Sequence, residues 1–435
     1  MNAVIDIDIA DGLIDQPRHV HAHGLAPGIT RLTASLAHPD GSRWQSSARF
    51  LIGQDGSLDV DTTVPLEGDW AENEPMAPIW SLRQSAPPTD PAQSDRLQPR
   101  RIRLQIVDAA GATADAVVTQ RFLADGVTRQ EVRENGLSGT LFIPPGDGPH
   151  PLVIVLNGSG GGTPEQRAAL LAAHGYIGFA LAYFNAPGRP ETISATPLEY
   201  FATALDFARQ TLHPRNGFIA VAGHSRGGEL ALLLGATFPA QVNAVIGYVP
   251  SAVIHGTLRA GRPDEPRDAP AWTWHGQPLR NIWQDNPHAD WHAFDYPSRP
   301  GVHIRQAPAF VNVERDAPSL AAARIPVERI GGPVLLISGT DDGFWPSTDY
   351  CERIAADLRT HAHRWPVVHQ RHAHSGHAIG FPFVPTTEIA KVHPVAGVVI
   401  DGGGTPVANA RANRQSWEQV LGFLANAVAG HQEVK

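Results

Sequence analysis

The chain has 435 residues, of which 42% are hydrophobic and 18% are charged, so it is long and apolar enough for two folded domains. Its formal net charge of −9 argues against nucleic acid or an anionic membrane as the main partner. The single cysteine, Cys351, excludes a disulfide within the chain, and no apolar run approaches the ~18 residues of a membrane-spanning helix. Because the chain begins with neither the basic residues nor the apolar run of a signal peptide, we expect a cytoplasmic protein that spans no membrane.

The first part of the chain consists of short segments in which apolar and polar residues alternate. Residues 32–36 and 102–106 show this alternation, and a turn follows each of them. A period of two with regular turns predicts antiparallel strands packed as a sandwich. The pattern then changes to buried strands that alternate with helices, which predicts a mostly parallel sheet. We therefore divide the chain into a sandwich domain, residues 1–125, and an α/β domain, residues 126–435.

A loop rich in glycine follows an early, strongly apolar strand of the second domain. Residues 152–156 read Leu-Val-Ile-Val-Leu, and residues 157–162 read Asn-Gly-Ser-Gly-Gly-Gly. Backbone N–H groups in such a loop can approach a substrate oxygen closely, because glycine has no side chain. We expect Ser159 and Gly160 to offer N–H groups of this kind. A phosphate-binding loop is the alternative, but the Gly-Lys-Ser/Thr ending and the Gly-x-Gly-x-x-Gly spacing of such loops are missing.

The pentapeptide Gly-His-Ser-Arg-Gly at 223–227 lies between a segment typical of a buried strand, 218–222, and an apolar segment rich in helix formers, 229–234. A strand, a sharp turn and a helix in this order form a nucleophile elbow, in which Ser225 occupies the turn. The helix directs backbone N–H groups and its positive dipole end toward a developing oxyanion. The N–H of Arg226 is therefore the expected companion donor. A glycine-rich connection with an inert serine is the alternative.

A long segment rich in Pro, Trp, His and Arg lies between residues 248 and 324 and shows little periodicity. Long irregular insertions in compact domains tend to be lids or substrate loops. We expect a cap-like insertion at about residues 255–320, which would cover Ser225 and offer aromatic walls to a substrate. The four tryptophans between residues 272 and 291 could instead simply pack onto the sheet.

Two aspartates follow a later apolar strand at 334–339, in the sequence Thr-Asp-Asp-Gly at 340–343. A carboxylate just past the carboxyl end of a core strand lies at the same sheet edge as the elbow, where open α/β sheets bind their ligands. We favour Asp342 as the acid of a catalytic triad and expect Asp341 to be a helper or a turn residue. A turn with solvated carboxylates is the alternative for either residue.

Six of the 21 histidines lie between residues 361 and 377. A serine nucleophile needs a histidine as general base, and after an elbow of this kind the chain order is Ser, Asp, His. The alternating segment 367–371 predicts a late strand, and residues 375–378 would form the loop beyond it, so we choose His377. A metal site is the alternative, but the paired helical spacing and the cysteines of a zinc site are missing. We expect no metal and no cofactor.

Several stretches resemble one family, the type I acyl-CoA thioesterases and the bile acid-CoA:amino acid N-acyltransferases. In the second domain these stretches are 139–145, 160–162, 180–184, 197–201, 223–229, 325–330 and 339–345. In the first domain they are 25–28 and 74–76. The resemblance therefore spans nearly the whole chain.

The resemblance implies an immunoglobulin-like β-sandwich domain followed by an α/β-hydrolase domain with a mostly parallel central sheet. It also implies a serine hydrolase that cleaves acyl thioesters of CoA through a covalent acyl-enzyme. Ser225, Asp342 and His377 match the family's nucleophile, acid and base. Members that amidate their substrate typically use cysteine as nucleophile, so Ser225 favours water as the acceptor.

Other functions stay open on the sequence alone. They are transfer of the acyl group to an amine or alcohol, hydrolysis of an ester unrelated to CoA, and a non-catalytic module that keeps a hydrolase scaffold. The segments 259–311 and 384–413 look longer than the mammalian pattern of the family, so the acyl group is not fixed by the resemblance. The expected partner is a small acyl thioester or ester, and the oligomeric state is left open.

Overall fold

The computed structural model of the protein describes residues 2–89 and 95–433, and the chain divides into two compact units. The first unit comprises the described residues of Met1–Ala124 together with Gly380–Ile389 and Thr405–Trp417. The second comprises those of Asp125–Ile379, Ala390–Gly404 and Glu418–Lys435. Among the described residues, no helix has both the length and the apolar character that crossing a membrane requires.

Two sheets form the first unit. Its strands are β1 (Val4–Ile7), β2 (Asp11–Leu13), β3 (Val20–His23), β4 (Gly28–Ala37), β5 (Arg43–Ile52), β6 (Leu58–Asp59), β7 (Glu67–Gly68), β8 (Arg83–Ala86), β9 (Arg100–Val107) and β10 (Thr113–Arg121), with helix α1 (Ala77–Trp80) before β8. One sheet has the order β1-β3-β6, and the other has the order β2-β10-β9-β4-β5-β7 with β8 also paired to β5. Every pair of neighbouring strands in these two sheets except β2–β10 is antiparallel.

The alternation seen in the sequence explains how these sheets pack. In β4, Leu32, Ala34 and Leu36 are buried, whereas the residues between them are not. Successive side chains of a strand point to opposite faces, so every second residue of β4 enters the core. Val20 and Ala22 of the smaller sheet belong to the same core cluster. The predicted antiparallel sandwich is confirmed.

An eight-stranded sheet organises the second unit. The strands of the unit are β11 (Thr128–Val132), β12 (Gly139–Ile143), β13 (Leu152–Leu156), β14 (Ile177–Leu181), β15 (Thr196–Pro197), β16 (Ile219–His224), β17 (Ala244–Tyr248), β18 (Trp272–Trp274), β19 (Gln277–Pro278), β20 (Val334–Gly339), β21 (Val367–His372), β22 (Ala390–Val392) and β23 (Val399–Asp401). The helices are α2 (Glu165–Ala173), α3 (Leu198–Phe207), α4 (Arg226–Thr237), α5 (Trp291–Asp295), α6 (Ala307–Val313), α7 (Ala317–Ala323) and α8 (Ser347–Thr360). Helix α9 (Pro406–Glu433) begins in the first unit and ends in the second.

The central sheet has the order β11-β12-β14-β13-β16-β17-β20-β21. Pairing is antiparallel up to β14 and parallel from there to β21, so the predicted mostly parallel sheet is confirmed. The strands β13, β14 and β17 are buried at every residue, which explains why they read as continuous apolar runs. The strand order reverses at β13, and an open α/β sheet binds ligands at the carboxyl ends of the strands beside such a reversal.

The unit boundaries differ from the division made from the sequence, which placed all residues after 125 in one domain. In the structure, residues 380–389 and 405–417 belong to the first unit. The N–H of Thr386 donates to the carbonyl of Trp80 over 2.9 Å, and Gln120 Nε2 donates to the carbonyl of Phe383 over 3.0 Å. Local periodicity carries no information about such long-range pairing, so the sequence pattern could not assign these segments.

Candidate active site

Ser225 occupies a strained turn between β16 and α4. Its backbone has φ 58° and ψ −120°, a conformation that residues with a side chain rarely adopt. The carbonyl of Ser225 accepts from the N–H groups of Gly228 (2.8 Å) and Glu229 (3.0 Å) at the start of the helix. The N–H of Arg226 precedes these bonds and has no carbonyl partner within the helix. The predicted strand, sharp turn and helix are therefore all present.

Asp342 and His377 are in direct contact. The Nδ1 atom of His377 lies 2.9 Å from Oδ1 and 2.8 Å from Oδ2 of Asp342, and the two side chains are only 7% and 1% exposed, respectively. A carboxylate accepts hydrogen bonds, so we place the proton on Nδ1, which leaves Nε2 free to accept. The N–H groups of Phe344 (2.9 Å) and Trp345 (3.3 Å) also donate to Asp342 Oδ1 and fix the carboxylate.

Asp341 has a different set of partners. Its Oδ1 lies 2.6 Å from Arg305 Nη2, and its Oδ2 accepts from the N–H of Gly404 over 2.8 Å. Burial raises the pKa of Asp341, but the bonds from Arg305 and Gly404 outweigh it and lower that pKa overall. Asp341 therefore ties two loops together, whereas Asp342 faces the histidine.

The imidazole of His377 is held on three sides. The ring of Phe344 stacks on it at 4.4 Å between centroids, and the ring of Trp345 meets it edge-on at 5.8 Å. The ring of His224, the residue before Ser225, contacts it edge-on at 5.3 Å. The structure thus brings His377 to Asp342 and packs it against the neighbour of Ser225.

The glycine-rich loop after β13 lies against the elbow. A Cβ placed on Gly158 would be 3.3 Å from Ser225 Cβ, and a Cβ placed on Gly227 would be 2.4 Å from the carbonyl oxygen of Asn157. Residue 227 therefore requires glycine, because a Cβ there would collide with the backbone of Asn157, whereas a side chain at residue 158 would displace its neighbours by a few tenths of an ångström. The loop itself is tightened by Asn157 Nδ2, which donates to the carbonyl of Gly161 over 2.6 Å.

A small cavity of about 40 Å³ adjoins Ser225. Ser159 and Arg226 line it, so two of the three residues expected as oxyanion donors share a cavity with Ser225. Gly160 is not among the lining residues, and its carbonyl accepts from Asn185 Nδ2 over 2.9 Å. The remaining walls come from the insertion and the later loops, namely Thr257, Leu258, Arg259, Ala260, Phe294, Gln306, Phe310, Phe344, Trp345, His393 and Ile400.

Comparison with known proteins identifies the family. The model described as "BAAT / Acyl-CoA thioester hydrolase C terminal" matches residues 196–430, and that described as "Acyl-CoA thioester hydrolase/BAAT N-terminal region" matches residues 15–134. The chain belongs to the BAAT/acyl-CoA thioester hydrolase family. The family resemblance expected from the sequence is confirmed, and with it the expectation of a hydrolase enzyme.

Individual members of this family are similar over almost the whole chain. Human acyl-coenzyme A thioesterase 1 is 30% identical over 96% of this chain and 95% of its own length. Mouse acyl-coenzyme A thioesterase 1 is 31% identical over 94% of this chain and 93% of its own length. Human acyl-coenzyme A thioesterase 2, mitochondrial, is 30% identical over 96% of this chain and 83% of its own length.

This BAAT/acyl-CoA thioester hydrolase family member has a buried ion pair that the sequence reasoning missed. Arg226 Nη1 lies 3.0 Å from Glu229 Oε2, and the two side chains are 3% and 0% exposed. The guanidinium of Arg226 also donates to the carbonyls of His255 (3.1 Å) and Gly256 (2.8 Å). Burial raises the pKa of Glu229, and the charge of Arg226 opposes that rise. Their spacing of three residues just after the elbow was the available signal.

Two of the four tryptophans of the insertion pack into the interior. Trp272 and Trp283 are 0% and 1% exposed and belong to the core cluster of the central sheet. Trp272 Nε1 donates to Glu229 Oε1, and Trp283 Nε1 donates to His255 Nδ1, each over 2.9 Å. Neither residue lines the cavity. The insertion contributes cavity walls through residues 257–260 and through phenylalanines, so the expected aromatic walls are not made by its tryptophans.

His393 was also missed, because nothing in the sequence distinguishes it from the other histidines. Its Nε2 lies 2.7 Å from Ser159 Oγ, on the glycine-rich loop. The histidines of the segment 361–377 have separate partners; for example, His369 Nε2 lies 2.8 Å from Ser338 Oγ and His363 Nε2 lies 3.1 Å from the carbonyl of Gly332. Over residues 2–89 and 95–433, no group of three or more His, Cys, Asp or Glu side chains is placed to hold a metal ion.

Proposed function

We propose that this protein hydrolyses acyl thioesters of coenzyme A through an acyl-enzyme on Ser225. The observation that carries the proposal is the contact of His377 Nδ1 with Asp342, which leaves Nε2 as a base beside the elbow. The thioesterase names of the relatives that cover almost the whole chain supply the substrate class.

The reaction follows from these groups in two steps. His377 Nε2 takes the proton of Ser225, whose oxygen attacks the thioester carbonyl, and Asp342 stabilises the imidazolium that forms. The N–H groups of Arg226 and Ser159, which line the cavity beside Ser225, stabilise the oxyanion. As the carbon–sulfur bond breaks, His377 gives the proton to the departing thiolate. It then takes a proton from the water that attacks the acyl-enzyme, and it returns that proton to Ser225 Oγ as the ester bond of the acyl-enzyme breaks. The products are the free acid and the thiol.

Substitution of the nucleophile and of the acid tests this mechanism. We expect Ser225→Ala to lower kcat by several powers of ten, and Asp342→Asn by about 10⁴, because the triad acts as a unit. Asp341→Asn is the matched control, since that carboxylate faces Arg305 instead of His377. Near-wild-type turnover of acyl-CoA by folded Ser225→Ala would contradict the mechanism.

Transfer of the acyl group to an amine or alcohol is the second candidate, because the description of the family includes both activities. Ser225 in the nucleophile position favours water. Mass spectrometry of the products with glycine, taurine or an alcohol present separates the two reactions. Free acid as the sole product supports hydrolysis, whereas an amide or ester product that grows with the acceptor concentration supports transfer. Turnover of p-nitrophenyl esters without any turnover of acyl-CoA would point to an esterase.

We also propose that the protein acts in the cytoplasm. Its single cysteine, Cys351, is a buried free thiol, as expected in a reducing compartment. Some of the similar proteins are named mitochondrial, so fractionation of cells that express the full chain is the direct test.

A further inference from the structure

The side chain of Ser159 lies close to Ser225, where a hydrogen-bond donor could stabilise an oxyanion. Ser159 lines the cavity that also contains Ser225 and Arg226. The residue before it, Gly158, is so close to the elbow that an added Cβ would be 3.3 Å from Ser225 Cβ. Besides the backbone N–H of Ser159, its hydroxyl offers a second hydrogen-bonding group at the same point of the loop.

The direction of the bond between Ser159 and His393 follows from the other partner of the ring. The N–H of Ala396 donates to His393 Nδ1 over 3.1 Å, so Nδ1 is an acceptor. Burial, with help from the charges of Arg259 and His377, lowers the pKa of His393 to about 4, which makes the ring neutral at neutral pH. The single ring proton is therefore on Nε2, and it is donated to Ser159 Oγ over 2.7 Å.

This direction leaves the proton of Ser159 unused. The Oγ atom accepts from His393, and among the described residues no acceptor receives the hydroxyl hydrogen. It also excludes His393 as a base that activates Ser159, because the ring presents N–H, not a lone pair, to the hydroxyl. Ser159 is thus a donor whose orientation is set by another residue of the cavity wall, His393.

A hairpin holds His393 in place. His393 follows β22, its N–H donates to the carbonyl of Val398 over 2.9 Å, and its carbonyl accepts from the N–H of Gly397 over 2.9 Å. The next residue, Pro394, packs on the glycine-rich loop, since a Cβ on Gly160 would be 3.1 Å from Pro394 Cγ. Two consecutive hairpin residues therefore contact two consecutive loop residues.

We propose that the hydroxyl of Ser159 is a further catalytic donor to the oxyanion, and that His393 is the residue that positions it. The inference rests on the acyl-enzyme mechanism proposed above and adds to it a side-chain donor beside the backbone N–H groups. A donor fixed before the reaction stabilises developing charge without reorganisation, and a hydroxyl that already accepts one hydrogen bond is a better donor of the other.

The test compares kcat, KM and the affinity for an oxyanion mimic in Ser159→Ala, His393→Phe and the double variant. A trifluoromethyl ketone linked to CoA adds to Ser225 and forms a tetrahedral oxyanion, so its affinity reports the donors directly. We expect Ser159→Ala to lower kcat about tenfold to hundredfold with KM little changed, and to weaken the ketone by a similar factor. His393→Phe should also lower kcat and the affinity for the ketone. In the double variant both quantities should be no lower than in Ser159→Ala alone. His393→Gln, which can still donate to Ser159, should recover part of the loss.

His361→Phe is the matched control, because His361 is exposed and bonds to the carbonyl of Asp357 instead of the loop. Thermal unfolding of each variant separates a loss of folding from a loss of catalysis. The inference is overturned if Ser159→Ala keeps wild-type kcat and ketone affinity, and the role of His393 is overturned if the two substitutions act additively.

A parallel assay with p-nitrophenyl acetate separates failure of this inference from failure of the proposed function. Hydrolysis of the ester needs the same oxyanion donors but no CoA. A Ser159-dependent turnover of the ester without any turnover of acyl-CoA would refute the thioesterase assignment and leave the donor role intact. Acyl-CoA turnover that is unchanged by Ser159→Ala would refute the donor role and leave the thioesterase assignment intact.

Discussion

The imidazole Nε2 of His224 lies 3.0 Å from the backbone carbonyl oxygen of His377. A carbonyl oxygen only accepts, so His224 donates and its Nε2 carries a proton. Burial, together with the nearby His377 and Arg167, lowers the pKa of His224 to about 3, which keeps the ring neutral. The residue before Ser225 therefore holds the backbone of His377, the proposed general base.

Loss of this hydrogen bond should impair catalysis. We expect His224→Phe, which keeps a ring but no donor, to lower kcat about three- to tenfold, the effect of one neutral hydrogen bond. His224→Gln keeps an N–H donor and should lose less. Steady-state kinetics on acyl-CoA measure both. A smaller loss in His224→Phe than in His224→Gln would mean that packing of the ring, and not its N–H, positions His377.

The low pKa of His224 also predicts how stability depends on pH. Its folded pKa of about 3 lies below the ordinary value of 6.5, so between these values the unfolded chain binds a proton that the folded chain does not. Stability should therefore fall as the pH drops below about 6.5. Urea unfolding of the wild type and of His224→Gln between about pH 7 and pH 5 measures this, and the variant should show the shallower decline. An unchanged slope would contradict the assignment.

The buried pair of Arg226 and Glu229 predicts a large loss of stability. We expect Glu229→Gln to lower the free energy of unfolding by about 3 kcal/mol or more, because it leaves the guanidinium buried without its counter-charge. Glu67→Gln is the matched control, since the pair of Glu67 with Arg49 is 63% and 40% exposed, and it should cost less than about 1 kcal/mol. Urea titration of both variants measures the difference, and similar losses would show that the pair of Arg226 and Glu229 is solvated.

Local sequence could predict those residues of the site that directly follow an apolar strand. Ser225 follows an apolar strand and precedes an apolar helix, and Asp342 follows another such strand, so each could be placed at one edge of the sheet. The contact of Asp342 with His377 follows from that placement, because the carboxyl ends of parallel strands lie side by side.

The features that could not be predicted from the sequence depend on contacts between segments that are far apart along the chain. His393 is 234 residues from Ser159 along the chain, and it reaches the loop only because a hairpin packs there. The same holds for residues 380–389, whose backbone pairs with the sandwich instead of the sheet that precedes them. Periodicity reports which face of an element is buried but not which partner covers it.

The cavity beside Ser225 predicts a preference for short acyl groups. Its volume is about 40 Å³, and one water-sized group needs about 10–15 Å³, so roughly three such groups fit without movement of the walls. We expect acyl-CoA esters of up to about four carbons to have higher kcat/KM than esters of sixteen.

Two lining residues allow the size of this cavity to be changed in both directions. Leu258→Ala should enlarge the cavity and shift the preferred acyl length upward, whereas Ala260→Leu should fill it and shift the preference downward. A series of saturated acyl-CoA esters assayed on the wild type and both variants measures the shift. A wild type that prefers the longest chains would contradict this prediction, because the cavity walls would then have to move to admit them. In that case Leu258→Ala and Ala260→Leu would not shift the preferred acyl length in opposite directions.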